Sequence, residues 1–193
     1  MFKIIAVSNR HLCEGDFTEK IKEITSAGTE VIMREKDLCP SEYAKLLRVV
    51  GRENIIPHTF YNEAEKEGHN KIHLPLHVLR GNPKLSKKFS VGVSIHSIEE
   101  AREAQSLGAK YITAGHIFVT DCKKGLPGRG LEFLEQVKCE VSIPVYAIGG
   151  IGAENIAQIK ESGADGACIM SGFMRCENAE KFLKELRDVL HRN

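Results

Sequence analysis

The chain has 193 residues, 42% of them hydrophobic and 27% charged, with a formal net charge of +1. That balance suits one globular unit with a sizeable core and excludes a disordered or fibrous chain. Its dispersed basic residues give no footprint for a nucleic-acid or anionic-membrane partner, and no apolar run approaches the ~18 residues of a membrane span.

In chain order, apolar strands are expected at 3–7, 30–33, 54–56, 71–74, 89–93, 111–114, 145–148 and 166–170. Several of these runs are continuously apolar or small, as strands covered on both faces must be. Helical periodicity follows at 18–27, at 41–50 behind Pro40, at 61–67 (short and highly charged), at 97–107, at 153–162 and at 178–190. Glu99 and Glu100 fall in the first turn of the 97–107 segment, where acids favour the helix dipole. Gly28, Gly108 and Gly163 each stand just past a helix, where a left-handed C′ residue costs glycine little.

Eight βα units in series favour closure into a single (β/α)₈ TIM barrel over residues 1–193, with an open doubly wound sheet as the other solution. Barrels of this kind usually run to ~250 residues, so the helices and loops must be lean. The first residues lack the long apolar core and cleavage site of a signal peptide, so a cytoplasmic protein is expected. The six cysteines form no CxxC pair, and no disulfide framework is expected.

Two glycine-bearing loops follow the last two strands. Gly149 and Gly150 stand in the first, and Ser171 and Gly172 in the second. Glycine lets backbone approach an anion closely, and barrels often build a phosphate site from these two loops. A lone glycine pair would more often be a tight turn; two such loops at these strand ends favour phosphate.

The densest run of functional groups is 115–130, after strand six. His116 stands just past the strand end, where barrel residues serve chemistry more often than structure, and imidazole titrates near neutral pH. Thr120 and Lys123 can hydrogen-bond and neutralise an anion. Cys122 lacks an evident partner base.

These stretches, together with Met33-Arg34-Glu35-Lys36-Asp37-Leu38 and Gly92-Val93-Ser94-Ile95-His96-Ser97, resemble the thiamin phosphate synthase/TenI superfamily over nearly the whole chain. The resemblance implies one of two activities. The synthase joins a pyrimidine pyrophosphate to a thiazole phosphate with Mg²⁺, and the TenI-type tautomerase aromatises a thiazole without metal. The synthase pattern carries an Asn-Asp pair at the end of strand three and an Asp shortly after strand four. This chain has Pro57-His58 and Val78 there. Neutral histidines are poor ligands for a hard cation, so His58 and His77 do not replace the carboxylates.

The resemblance with His116 in the strand-six loop therefore implies a thiazole tautomerase, an isomerase without cofactor or metal. In that reading His116 is the acid/base, the glycine loops hold the phosphate of a small-molecule thiazole phosphate, and Arg34 and Lys36 hold a second anion. Ser94 and His96 are further mouth residues. The alternatives are a thiamin phosphate synthase with a rebuilt metal site and a non-catalytic regulatory or binding protein. A homodimer is implied by the resemblance alone.

Overall fold

Alternation within each strand decides the architecture: one face of every strand meets helices and the other meets the strands across the barrel. The computed structural model describes residues 2–120 and 125–192. The strands are β1 (Lys3–Val7), β2 (Glu30–Met33), β3 (Ile55–Pro57), β4 (Lys71–Pro75), β5 (Ser90–Ile95), β6 (Tyr111–Gly115), β7 (Val145–Ile148) and β8 (Gly166–Ile169). The helices are α1 (Phe17–Ser26), α2 (Pro40–Val50), α3 (Tyr61–Lys66), α4 (Leu76–Gly81), α5 (Leu85–Lys88), α6 (Ile98–Ser106), α7 (Gly130–Glu140), α8 (Ile156–Glu161), α9 (Ser171–Arg175) and α10 (Ala179–Arg192).

All strand pairs are parallel, in the order β3-β2-β1-β8-β7-β6-β5-β4. The seam between β3 and β4 is joined by a single bridge, His58 to His73, so the sheet is a nearly closed (β/α)₈ barrel. At the opposite end Glu30 of β2 accepts from Lys3 of β1 and from Lys71 of β4, both at 2.5 Å, which ties β4 back across the short β3.

The expected strands all form, with ends shifted by one or two residues. Gly28, Gly108 and Gly163 take φ of 81°, 88° and 80°, as the helix–strand joints require. The expected helix at 153–162 starts late, at Ile156. The Asn155 side chain accepts from the Gly152 amide and donates to the Gly150 carbonyl, which holds the preceding residues in a turn instead. Helices α4, α5, α7 and α9 are additional to the expected ones, and α4, α5 and α9 are too short to show a period in the sequence.

The outward residues of the strands, such as Ala6, Val31, Val91, Ile112 and Ala167, join the large core beneath the helices. The inward residues form a second cluster of Ile5, Val7, Ile32, Ile56, Tyr146 and Cys168. That interior is apolar on β1–β3, β7 and β8, and polar on β4–β6, where His73, Ser94, Thr113 and Tyr111 point inward and bond to one another.

Gly92 makes this possible. It sits level with His73 and Tyr111 in the sheet register, and a Cβ on it would lie 2.0 Å from Cζ of Tyr111. Gly92→Ala is expected to cost about 1–3 kcal/mol of stability by overpacking, measured as a lower urea midpoint. An unchanged midpoint would mean that the Tyr111 ring moves aside freely.

Candidate active site

The carboxyl ends of the strands open on a cavity of about 830 Å³, within the ~300–1,000 Å³ of small-molecule sites. Its two long walls are of different chemistry.

One wall is cationic. The Ser8 hydroxyl accepts from the Arg34 amide at 2.8 Å and donates to the buried Glu35 at 2.6 Å. Arg10 engages Glu35 at 3.3 Å and grips Asp37 through two nitrogens at 2.6 and 2.5 Å. The acids that alternate with Arg34 and Lys36 are thereby satisfied from the outer side. Arg34 and Lys36 line the cavity, and neither makes an ion pair among the described residues. Burial, then the neighbouring Arg34, hold the Lys36 ammonium below its ordinary pKa.

Beside them His58 directly follows β3, only 4% exposed. Tyr43 of α2 donates to the Met33 carbonyl at 2.6 Å and accepts from the His58 amide at 2.9 Å. One phenol thus sets the height of His58 against Arg34, the residue after Met33. Burial first, then His73, Lys36 and Arg34, press the His58 pKa to about 2, so the ring is neutral.

The opposite wall is backbone. Gly149 and Gly150 have φ of 113° and 64°. A Cβ on Gly149 would meet Cα of His116 at 2.8 Å, and one on Gly150 the Val119 carbonyl oxygen at 2.4 Å. These glycines therefore also let the strand-six loop dock, and the Phe118 amide donates to the Gly149 carbonyl at 3.0 Å. Among the described residues nothing in the chain accepts from the amides of Gly149, Gly150 or Ser171, so these N–H groups are available to an anion.

His116, Thr120 and Ser171 line the same cavity, as does Ser94. His116 is 5% exposed and takes φ of 63°, a left-handed conformation unusual for a side-chain-bearing residue. His77 and His96 also reach the lining. Gly172 does not: it sits in the first turn of α9, and a Cβ there would strike the Phe182 ring at 2.5 Å. Its missing side chain lets the Phe182 ring pack close. Lys123 and Cys122 lie outside the described residues. Sequence reasoning missed Thr113 and Arg175 in the lining and the His73–Tyr111 pair beneath Ser94; the available signal was polar residues at inward positions of β4, β5 and β6.

A Mg²⁺ site of the synthase pattern does not fit these side chains. His58 is neutral and faces two cations, and Val78, at the second acidic position, is a partly buried residue of α4. Of the acids in the lining, Glu100 accepts from the His96 amide and Glu154 stands with the glycine wall. Among the described residues no three His, Cys, Asp or Glu converge as a metal would require.

The family model described as thiamine monophosphate synthase matches residues 64–173. A thiamine-phosphate synthase of Syntrophomonas wolfei is 33% identical over all of this chain and 98% of its own length. Another, of Fusobacterium nucleatum, is 31% identical over 95% of each chain. Among solved structures, a thiamine phosphate pyrophosphorylase from Pyrococcus furiosus has 28% identity and a TM-score of 0.81, covering 99% of this chain and 96% of that one.

These similarities overturn the expected thiazole tautomerase, and the isomerase class with it, because the end-to-end relatives are named as synthases. That expectation leaned on His116 and two missing carboxylates. Residue 116 is also a packing position, its Cα pressed against Gly149, so a histidine there is not by itself a mark of proton transfer. No helix of the described residues is long and apolar enough to cross a membrane. With the family model over 64–173 and identity running end to end, the chain belongs to the thiamine monophosphate synthase family.

Proposed function

We propose that the chain is a transferase of the thiamine-phosphate synthase type, joining a hydroxymethylpyrimidine pyrophosphate to a thiazole phosphate in the barrel mouth. One observation carries this reading: a single cavity presents two anion-facing walls, the Arg34–Lys36 pair and the glycine amides at 149–150. A coupling of one pyrophosphate ester with one phosphate ester needs that arrangement.

In the reaction the thiazole ring nitrogen supplies the electron pair for a new bond to the pyrimidine methylene carbon. The bond from that carbon to oxygen breaks, and pyrophosphate leaves with its electrons. Arg34 and Lys36 face the charge that builds on the leaving group, and fixed charges in a partly desolvated site need no reorganisation when it forms. The glycine amides hold the thiazole phosphate, and that remote binding aligns the ring nitrogen with the carbon. Ser94 and Thr113 line the same cavity as both walls. Because the donor set does not fit Mg²⁺, no step is assigned to the metal.

The test is direct. The protein is incubated with both precursors, with Mg²⁺ and separately with EDTA, and thiamin phosphate and pyrophosphate are quantified. One pyrophosphate released per thiamin phosphate formed is the expected result. Tight binding of thiazole phosphate with no coupling under either condition would replace this reading with a non-catalytic binding protein.

A further inference from the structure

Beneath the mouth lies a chain of polar groups that the coupling reaction does not itself use. His73 of β4 is 2% exposed. Its Nδ1 lies 3.1 Å from the Tyr111 hydroxyl, and its Nε2 lies 2.8 Å from Oγ of Ser94. Thr113 Oγ1 stands 3.4 Å from Ser94 Oγ. Tyr111 spans from β6 across β5 to reach β4, over a strand position where Gly92 leaves room. Of the four, Ser94 and Thr113 touch the cavity, and His73 and Tyr111 do not.

The protons in this chain can be assigned by counting. Burial holds His73 down to about 3 and raises the Tyr111 phenol well above its ordinary value, so both are neutral. A neutral imidazole has one donor and one acceptor. Among the described residues the Tyr111 hydroxyl has no acceptor besides Nδ1 of His73. Were Nδ1 to carry the proton, the phenolic O–H would be left without a partner, an arrangement buried hydroxyls avoid. Tyr111 therefore donates to Nδ1, and the His73 proton sits on Nε2 and is donated to Ser94. Thr113 donates to the same oxygen. With both lone pairs of Ser94 Oγ engaged, its own proton is what remains to offer the mouth.

We propose that Tyr111 and His73 are positioning residues that fix the Ser94 hydroxyl as a hydrogen-bond donor to the anion held beside Arg34 and Lys36. The adjacency runs through His58, which stacks on His73 with ring centroids 5.7 Å apart and feels both cations. Tyr111 thus tunes ligand affinity from beneath the site without touching the ligand. The anion's identity as pyrophosphate rests on the coupling reading above; the direction of the hydrogen bonds does not.

The experiment has two arms. In the first, dissociation constants for inorganic pyrophosphate are measured by calorimetry for the parent chain, Tyr111→Phe, Ser94→Ala and the double variant. Tyr111→Phe keeps the ring and removes only the hydroxyl. Losing one oriented hydrogen bond weakens binding by about 3–10-fold in the parent background, and by less than about twofold once Ser94 is already alanine. The same loss in both backgrounds, or no loss in the parent, overturns the proposal. In the second arm, nitrogen NMR of labelled histidine reads the His73 tautomer directly. A proton on Nε2 is expected in the parent, and a proton on Nδ1 there overturns the proposal. If both arms succeed while no coupling is detected, the transferase reading falls and the relay stands.

Discussion

Arg34→Gln lowers kcat/KM for the coupling by on the order of 10²-fold while leaving the unfolding midpoint near that of the parent, and Lys36→Gln does the same. The functional loss follows from removing a charge-assisted donor from a developing anion, which typically costs about 10²–10³-fold. The structural indifference follows from what these side chains touch. Neither makes an ion pair among the described residues, because Arg10 already engages Glu35 and Asp37. Lys36 is held below its usual pKa by burial and by Arg34, so neutralising it relieves a repulsion and leaves stability equal or slightly higher. A site that costs stability and supports activity shows this opposition under mutation. Steady-state kinetics beside urea unfolding separates the two effects. Unchanged kcat/KM in both variants would remove the cationic wall from the reaction.

Stability falls by about 4 kcal/mol between pH 7 and pH 5, about 2 kcal/mol for each of the neutral rings of His58 and His73. The folded pKa values are depressed to about 2 and about 3, against about 6.5 in the unfolded chain. Above pH 6.5 neither state binds these protons and the contribution is fully present. Below it the unfolded chain protonates and the folded one does not, so stability drops with each step of acid until the folded pKa values are reached. The groups that face these rings act in the same direction. Lys36, Arg34 and His73 all lower His58, and among the described residues the polar groups and rings that His73 meets are the neutral Tyr111, Ser94, Thr113 and His58. His69, lowered by burial, adds to the same slope. Paired carboxylates such as Glu30 and Asp37, whose pKa values are lowered, stay ionised at pH 5 and add little in this window. Urea midpoints at pH 7 and pH 5 check the sum, and His58→Asn should remove roughly half of it. Coincident midpoints would mean that water or counter-charge reaches the rings.

Much of this fold was legible because the strands carry their own signature. Runs such as Lys3–Val7 and Val145–Ile148 are apolar on both faces, and a parallel strand between helices must be. The joints at Gly28, Gly108 and Gly163 were legible for the same local reason, since only the backbone at that residue decides whether left-handed φ is affordable. The short helices α4, α5 and α9 span fewer than two full turns, and a period cannot be read over so few residues. The Phe182 contact at Gly172 was not legible, because a glycine that lets an anion approach and one that lets an aromatic ring approach look identical in sequence.

The sequence by itself determined the eight alternating units, the cations at 34 and 36, the glycines at 149–150 and the missing acids near 58 and 78. All of these depend on residue type and neighbours within a few positions. Only the tertiary structure decided which of them share a cavity, that Arg10 leaves Arg34 and Lys36 without acidic partners, and that His73, Ser94, Thr113 and Tyr111 form one network. Those are contacts between strands some 20 to 40 residues apart, and a side chain's protonation and hydrogen-bond direction depend on burial that only the closed barrel creates.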